Sequence, residues 1–282
     1  MNKYLSLIKF SHTIFAMPFA LIGFFLATKS YGFEWLTMFQ VILCMIFARS
    51  AAMAFNRYVD RKIDKKNKRT SNKREIPNGQ IIPKDALIFV IINSLLFIAT
   101  TYFINRICLI LSPIALTIIL SYSYTKRFTS LCHLILGIGL ALSPIGSYLA
   151  VSGKFSILPI LFSLVVLFWV SGFDIIYSLQ DQEFDKKQKL YSIPVLIGKK
   201  KSLNLVKVLH LITILLLLII GNYYDFGPLY WIGFLFFSSL IIYQNSLVKY
   251  DDLSKIDIAF FTTNGIASIL FGISVIADIV LT

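Results

Sequence analysis

The stretch Asn56 to Gly79, NRYVDRKIDKKNKRTSNKREIPNG, decides how the chain is organised. It leaves the end of a long apolar run and gathers acidic, amide and basic side chains where a hydrophobic helix meets water. Asn56, Asp60 and Asp64 are spaced by four, so on a helix they stack on one face. A second stretch repeats the device as another apolar run ends: Tyr177, Asp181 and Asp185 keep that spacing, and Asp174 lies one turn before Tyr177. Two carboxylate pairs facing one cavity suit divalent metal ions with a diphosphate between them. Mg²⁺ takes one or two carboxylates and completes its octahedron with water and phosphate oxygens.

Composition sets the solvent. Of 282 residues, 57% are hydrophobic and only 15% charged, with a mean hydropathy of +0.77, so the chain must use lipid rather than water around it. The net charge of +13 does not indicate nucleic acid, because the basic residues are confined to a few connections between apolar runs. They read as topology signals and as sites for phosphate or anionic lipid. Cys44, Cys108 and Cys132 lie inside apolar stretches without CxxC spacing, which suggests neither a disulfide framework nor zinc. The N-terminal segment has a basic start and an apolar run without a small-residue cleavage site, and reads as a retained first span.

Apolar runs long enough to cross a bilayer, which takes roughly 20 residues, fall near 12–29, 36–58, 85–105, 107–125, 131–152, 157–179, 203–221, 227–248 and 257–281. The expected fold is therefore all-α: a polytopic membrane protein with nine transmembrane helices. The third and fourth spans, parted only by Asn105 and Arg106, form a tight hairpin. Lys and Arg crowd the connections after the even spans, as at Arg61 to Lys84 and Lys186 to Lys201. The odd connections hold only Lys29, Arg106 and Lys154. This bias puts the N-terminus and both carboxylate clusters on the cytoplasmic side of a bacterial-type inner membrane, and an odd span count leaves the C-terminus outside. Aligning Asp60 with Asp181 lays span two over span six and matches Pro77 and Gly79 roughly with Pro194 and Gly198. The single domain, 1–282, then divides into halves of about 1–130 and 131–282 with the site between them.

Two of the charges within apolar runs stand out. A carboxylate such as Asp174, in FWVSGFDIIYSL, costs roughly 2.5–3.5 kcal/mol in a membrane helix, which marks it as functional. Arg49 precedes Asn56 by seven residues, so it shares that helix face, and its guanidinium fork suits a substrate carboxylate or the diphosphate. Arg69, Lys126 and Arg127 can close over phosphate oxygens. His12, His133 and His210 have no partner at ligand spacing and read as packing or interface residues.

The motifs N56RYVDRKID64, R69T with R74EIPNG79, Y122SYTKRFT129 and D174IIYSLQDQEFD185 with S192IPVLIG198 resemble the UbiA-type intramembrane aromatic prenyltransferases, over about His12 through Gly198. The resemblance implies a helical bundle around a central cavity that opens laterally to the lipid bilayer. It also implies Mg²⁺-dependent transfer of a polyprenyl group from polyprenyl diphosphate to a small aromatic acceptor. It makes Asn56, Asp60 and Asp64 the first metal and diphosphate motif and Asp181 with Asp185 the second, both holding Mg²⁺ through diphosphate. Asp174 and Tyr177 line the cavity, Tyr122 and Lys126 lie near the diphosphate, and Arg49 sits where an acceptor-binding arginine is expected. Two departures stand out: Arg57 replaces an aspartate common beside the asparagine, and Lys73 is inserted between Asn72 and Arg74. The first resembles a bacterial subgroup, some of whose members are tied to menaquinone biosynthesis, beside the acceptor 4-hydroxybenzoate favoured for quinone synthesis. A membrane transporter would also explain Arg49, Asp174 and the repeat. The densest charges, however, sit in two loops at metal-ligand spacing rather than along a transmembrane path.

Overall fold

The two apolar runs that carry the motifs fold as the helices that organise the bundle. The computed structural model describes residues 2–8 and 15–282; His12 and the start of the first expected span lie outside the described residues. Among the described residues the chain is helical throughout: α1 (Asn2–Leu7), α2 (Met17–Tyr31), α3 (Trp35–Lys66), α4 (Pro83–Ile104), α5 (Arg106–Thr125), α6 (Cys132–Ser152), α7 (Ile157–Ser178), α8 (Gln182–Lys187), α9 (Ile193–Tyr223), α10 (Pro228–Leu247) and α11 (Asn264–Leu281). A 3₁₀ turn (Leu179–Asp181) joins α7 to α8, and a π-helical segment (Ile258–Thr263) leads into α11. Seven of these stretches are long and apolar enough to cross a membrane; α2, at 15 residues, and α10 fall outside that set. The chain is an integral, multi-pass membrane protein.

Burial separates the centre from the rim. Helix α7 is the hub: Phe162, Val165, Val166, Trp169 and Val170 are fully buried. Trp169 meets Phe19 of α2 and Phe237 of α10, each at 5.4 Å between ring centres, and Phe237 meets Phe271 of α11 at 5.1 Å. Such aromatic pairs add about 0.5–1.5 kcal/mol each beyond their buried area. Helix α4 is the opposite case, exposing Ile88, Ile91, Leu95 and Phe103, which only a hydrocarbon solvent accommodates.

Local sequence explains the helix ends that frame the site. The α4–α5 hairpin turns on Asn105 alone, in extended conformation. Its Oδ1 accepts from the Cys108 N–H at 2.9 Å to cap α5, while its Nδ2 donates to the Leu149 carbonyl of α6 at 2.8 Å. Helix α3 runs beyond the expected span to Lys66, so Asn56, Asp60 and Asp64 ride one continuous helix out of the membrane. The second motif does not: the 3₁₀ turn breaks the four-residue register between Tyr177 and Asp181, a correction to the single-helix stacking expected from spacing. Gly79 and Gly198, the pair matched by the internal alignment, share a positive φ (81° and 80°), and Gly198 kinks α9 near its start. At the other end of the bundle, Asp278 of α11 accepts from the backbone N–H groups of Gly227, Leu229 and Tyr230 at 2.7, 3.1 and 3.2 Å and so caps α10.

Candidate active site

Three connections converge where α3, α5 and α7 end: 67–82, 126–131 and 179–192. Each contributes side chains to the others. From the first, Arg69 lays its guanidinium against Asp181, Nε reaching Oδ1 at 3.0 Å and the second nitrogen pairing with Oδ2, and it donates to the Tyr177 hydroxyl at 3.0 Å. Asn67 adds a donor to Asp181 Oδ1 at 3.0 Å. These contacts bind the connection that follows the first motif to the second motif, Arg69 reaching across 112 residues of sequence. From the second connection, Arg127 donates to Asp60 Oδ1 at 2.9 Å, while Lys126 stands 3.7 Å from Asp185 and its carbonyl accepts from the Tyr191 N–H at 2.7 Å.

Every carboxylate of the two motifs thus faces a cation. Asp60 accepts from Asn56 as well as Arg127, at 3.2 Å, and the buried Asp64 pairs with Arg74. Burial alone would lower the affinity of Arg69 and Lys126 for their protons. The Asp181 and Asp185 carboxylates outweigh it and hold both groups above their ordinary values. Both cations therefore stay charged through the neutral range, and the contribution of their pairing is lost only as pH rises through those elevated values.

Asp174 pairs with His133 of α6, whose Nδ1 lies 2.7 Å from Asp174 Oδ2; the reading of His133 as a packing residue is corrected accordingly. His210 does act in packing, lying against Gly172 with its Nδ1 2.8 Å from the Asn245 amide. Arg49 has a buried Nε with no hydrogen-bond partner among the described residues, a donor left over for a ligand acceptor. Tyr122 lies among the charges of Asp174, Lys126 and Asp60, and the Tyr177 ring packs on Phe260 of the π-helical segment at 4.3 Å.

Sequence spacing missed several members. Arg74 returns to Asp64 through a loop, with no helical interval to reveal it. Glu75, 2% exposed, accepts from Ser6 of α1, and the buried Arg57 is surrounded by the charges of Arg74, Asp64 and Glu75. A buried glutamate beside the motif leaves no periodic trace in the sequence.

The donor set fits a divalent metal held jointly with phosphate. Among the described residues no three His, Cys, Asp or Glu side chains gather to cage an ion by themselves. Mg²⁺ bound through one or two carboxylates and substrate oxygens needs no such cage. Asp185 Oδ2 is buried and, with Lys126 Nζ 3.7 Å away, accepts no hydrogen bond among the described residues, which leaves it the coordinating capacity such an ion uses.

Comparison with known proteins places the chain. The sequence model of the UbiA prenyltransferase family matches residues 16–266. A 4-hydroxybenzoate octaprenyltransferase of Aliivibrio fischeri (strain MJ11) is 30% identical over 169 residues, 59% of this chain and 58% of the relative, so the match spans a little over half the relative's length. Among solved structures, a UbiA homolog from Aeropyrum pernix K1 superposes with a TM-score of 0.86 at 30% identity, covering 95% of this chain and 98% of that one. A UbiA homolog from Archaeoglobus fulgidus bound to GPP and Mg²⁺ has a TM-score of 0.76 at 23% identity, with 99% of each chain covered, a likeness of fold. With the family model spanning both aspartate motifs and nearly the whole bundle, the chain belongs to the UbiA prenyltransferase family.

Proposed function

We propose that the protein transfers a polyprenyl group from polyprenyl diphosphate to the ring of an aromatic acid, releasing diphosphate, with 4-hydroxybenzoate the favoured acceptor in quinone biosynthesis. The observation that carries this reading is the convergence of both aspartate motifs at one end of the bundle, where Arg69, from the loop that follows the first, bonds to Tyr177 and Asp181 of the second. The same chemistry on a menaquinone-pathway acceptor is the second reading, favoured by the buried Arg57 in place of an acidic residue. Supporting both, the A. fulgidus fold neighbour holds a prenyl diphosphate with Mg²⁺. The reading takes all nine long helices to cross the bacterial inner membrane and the N-terminus and three site loops to face the cytoplasm. Each of the two halves, about 1–130 and 131–282, supplies one motif.

When bound, Mg²⁺ would neutralise the leaving diphosphate and ease breaking of the allylic C–O bond, held by Asp60 and Asp64 on one side and Asp181 and Asp185 on the other. The chain's own cations complete that environment. Arg69, Arg74, Lys126 and Arg127 are each preorganised beside a carboxylate, and each exchanges that partner for diphosphate oxygens as the substrate arrives. The apolar bundle excludes water from the developing allylic cation. Arg49 takes the acceptor's carboxylate with its free donor. Its ring carbon then attacks, and Asp174 stands by for the ring proton.

The test is transfer of a labelled polyprenyl group to 4-hydroxybenzoate in membranes carrying the protein, with and without EDTA. Mg²⁺-dependent aromatic product supports the reading. Diphosphate release with naphthoate-type acceptors alone moves the assignment to the menaquinone reading, and no diphosphate release with any acceptor refutes both.

A further inference from the structure

Asp174 has a neighbour that the transfer reaction described above does not use. His133 is fully buried at the start of α6 and sits with Nδ1 2.7 Å from Asp174 Oδ2. Its other nitrogen, Nε2, faces the backbone N–H of Ile193 at 3.4 Å. Ile193 is the first residue of α9, and the N–H groups of a helix's first turn have no acceptor within their own helix. An N–H can only donate, so Nε2 accepts, and the neutral ring carries its proton on Nδ1, aimed at Asp174. The tautomer is thus set by the network around the ring.

The backbone that carries the ring is held against α7 as well. Gly137, one turn after His133, lets α6 approach α7 closely: a Cβ there would lie 2.5 Å from Ser171 Oγ and 2.7 Å from the Leu167 carbonyl. Ser171 donates to the His133 carbonyl at 3.3 Å, three residues before Asp174 on the same helix. Asp174 Oδ2 is therefore engaged by His133. Oδ1 makes no hydrogen bond among the described residues, and 16% of the side-chain surface stays accessible. One oxygen is anchored by His133, and the other takes no partner among the described residues.

We propose that His133 is a positioning residue that fixes Asp174 as the carboxylate receiving the ring proton. In the step, the acceptor ring carbon gives an electron pair to the allylic carbon, forming the new C–C bond, while the C–O bond electrons leave with diphosphate. The proton on that ring carbon then passes to Asp174 Oδ1, and the C–H electrons restore the aromatic ring. The His133 Nδ1–H stabilises the carboxylate beforehand and stays on the ring throughout. The proton leaves Asp174 for water after product release.

The proposal rests on the prenyl-transfer reading, and its experiment separates the two. Membranes bearing wild type, His133→Asn and His133→Gln are given polyprenyl diphosphate with 4-hydroxybenzoate carrying deuterium or hydrogen on the ring. Diphosphate, prenylated acceptor and prenyl alcohol are measured. The Asn amide places a donor near the Nδ1 position and the Gln amide near Nε2. His133→Gln is expected to release diphosphate yet divert the prenyl group to the alcohol, lower aromatic product by about 10²-fold and reveal an isotope effect above unity. His133→Asn is expected to stay close to wild type in isotope effect and partition. Gln and Asn variants that match each other in both readouts overturn the positioning role, because a polar packing residue predicts that equality. A wild type that releases no diphosphate overturns the transfer reading itself.

Discussion

The two aspartate motifs have the same spacing and different supports. The first rides α3 without interruption, and its cations, Arg74 and Arg127, come from the same half of the chain. The second bends through a 3₁₀ turn between Tyr177 and Asp185, and its cations, Arg69 and Lys126, come from the other half. The first motif is therefore placed by its own helix. The second is held by side chains from the connections after α3 and α5. All four cations originate before residue 130, so the N-terminal part of the chain supplies the cations for both motifs.

The most severe way to break this comparison is to neutralise one carboxylate on each side. Asp60→Asn and Asp181→Asn are each expected to lower kcat by roughly 10²–10³-fold, the scale of removing a transition-state charge partner. Stopped assays of diphosphate release check this. Next in size, Arg69→Ala should lower activity by about 10²-fold and reduce thermal stability by about 2 kcal/mol, because it leaves Asp181 without its fork and Tyr177 without its donor. Arg74→Ala, which disturbs a motif already fixed by α3, should lower stability less; paired melting curves in detergent decide between them. Arg49→Ala should raise KM for the carboxylate-bearing acceptor by roughly 10–100-fold and leave KM for the diphosphate substrate near wild type, a split that steady-state kinetics resolves. The smallest effect is expected at Gly198→Ala. Its φ of 80° disfavours a side chain, so stability should fall by about 1 kcal/mol, whereas alanine at an ordinary helical position is neutral.

Two carboxylates in apolar runs show where sequence reading succeeds and where it stops. Asp174 stood out for the cost of a carboxylate in an apolar run, and the structure gives it a partner on one oxygen and none on the other among the described residues. Asp278 lies in an equally apolar run, and both its oxygens accept backbone N–H groups of α10, so its role is structural. The difference lies in which lone pairs remain, which spacing does not encode. The same limit hid His133 from Asp174, 41 residues away, and Arg74 from Asp64, reached through a loop. The helices themselves were legible because lipid demands long apolar runs, and the Asn105 turn was legible because so little chain parts its two spans. The 3₁₀ break at Leu179–Asp181 was not, since no glycine or proline marks it.

The central claim is that both motifs act on one diphosphate, and a double-mutant cycle tests it most directly. Rates of Mg²⁺-dependent diphosphate release are measured for wild type, Asp60→Asn, Asp181→Asn and the double variant. A single shared site predicts strong non-additivity, with the double variant no slower than the slower single variant by more than a few-fold. Effects that multiply across the two positions would show two motifs working independently and would contradict the account.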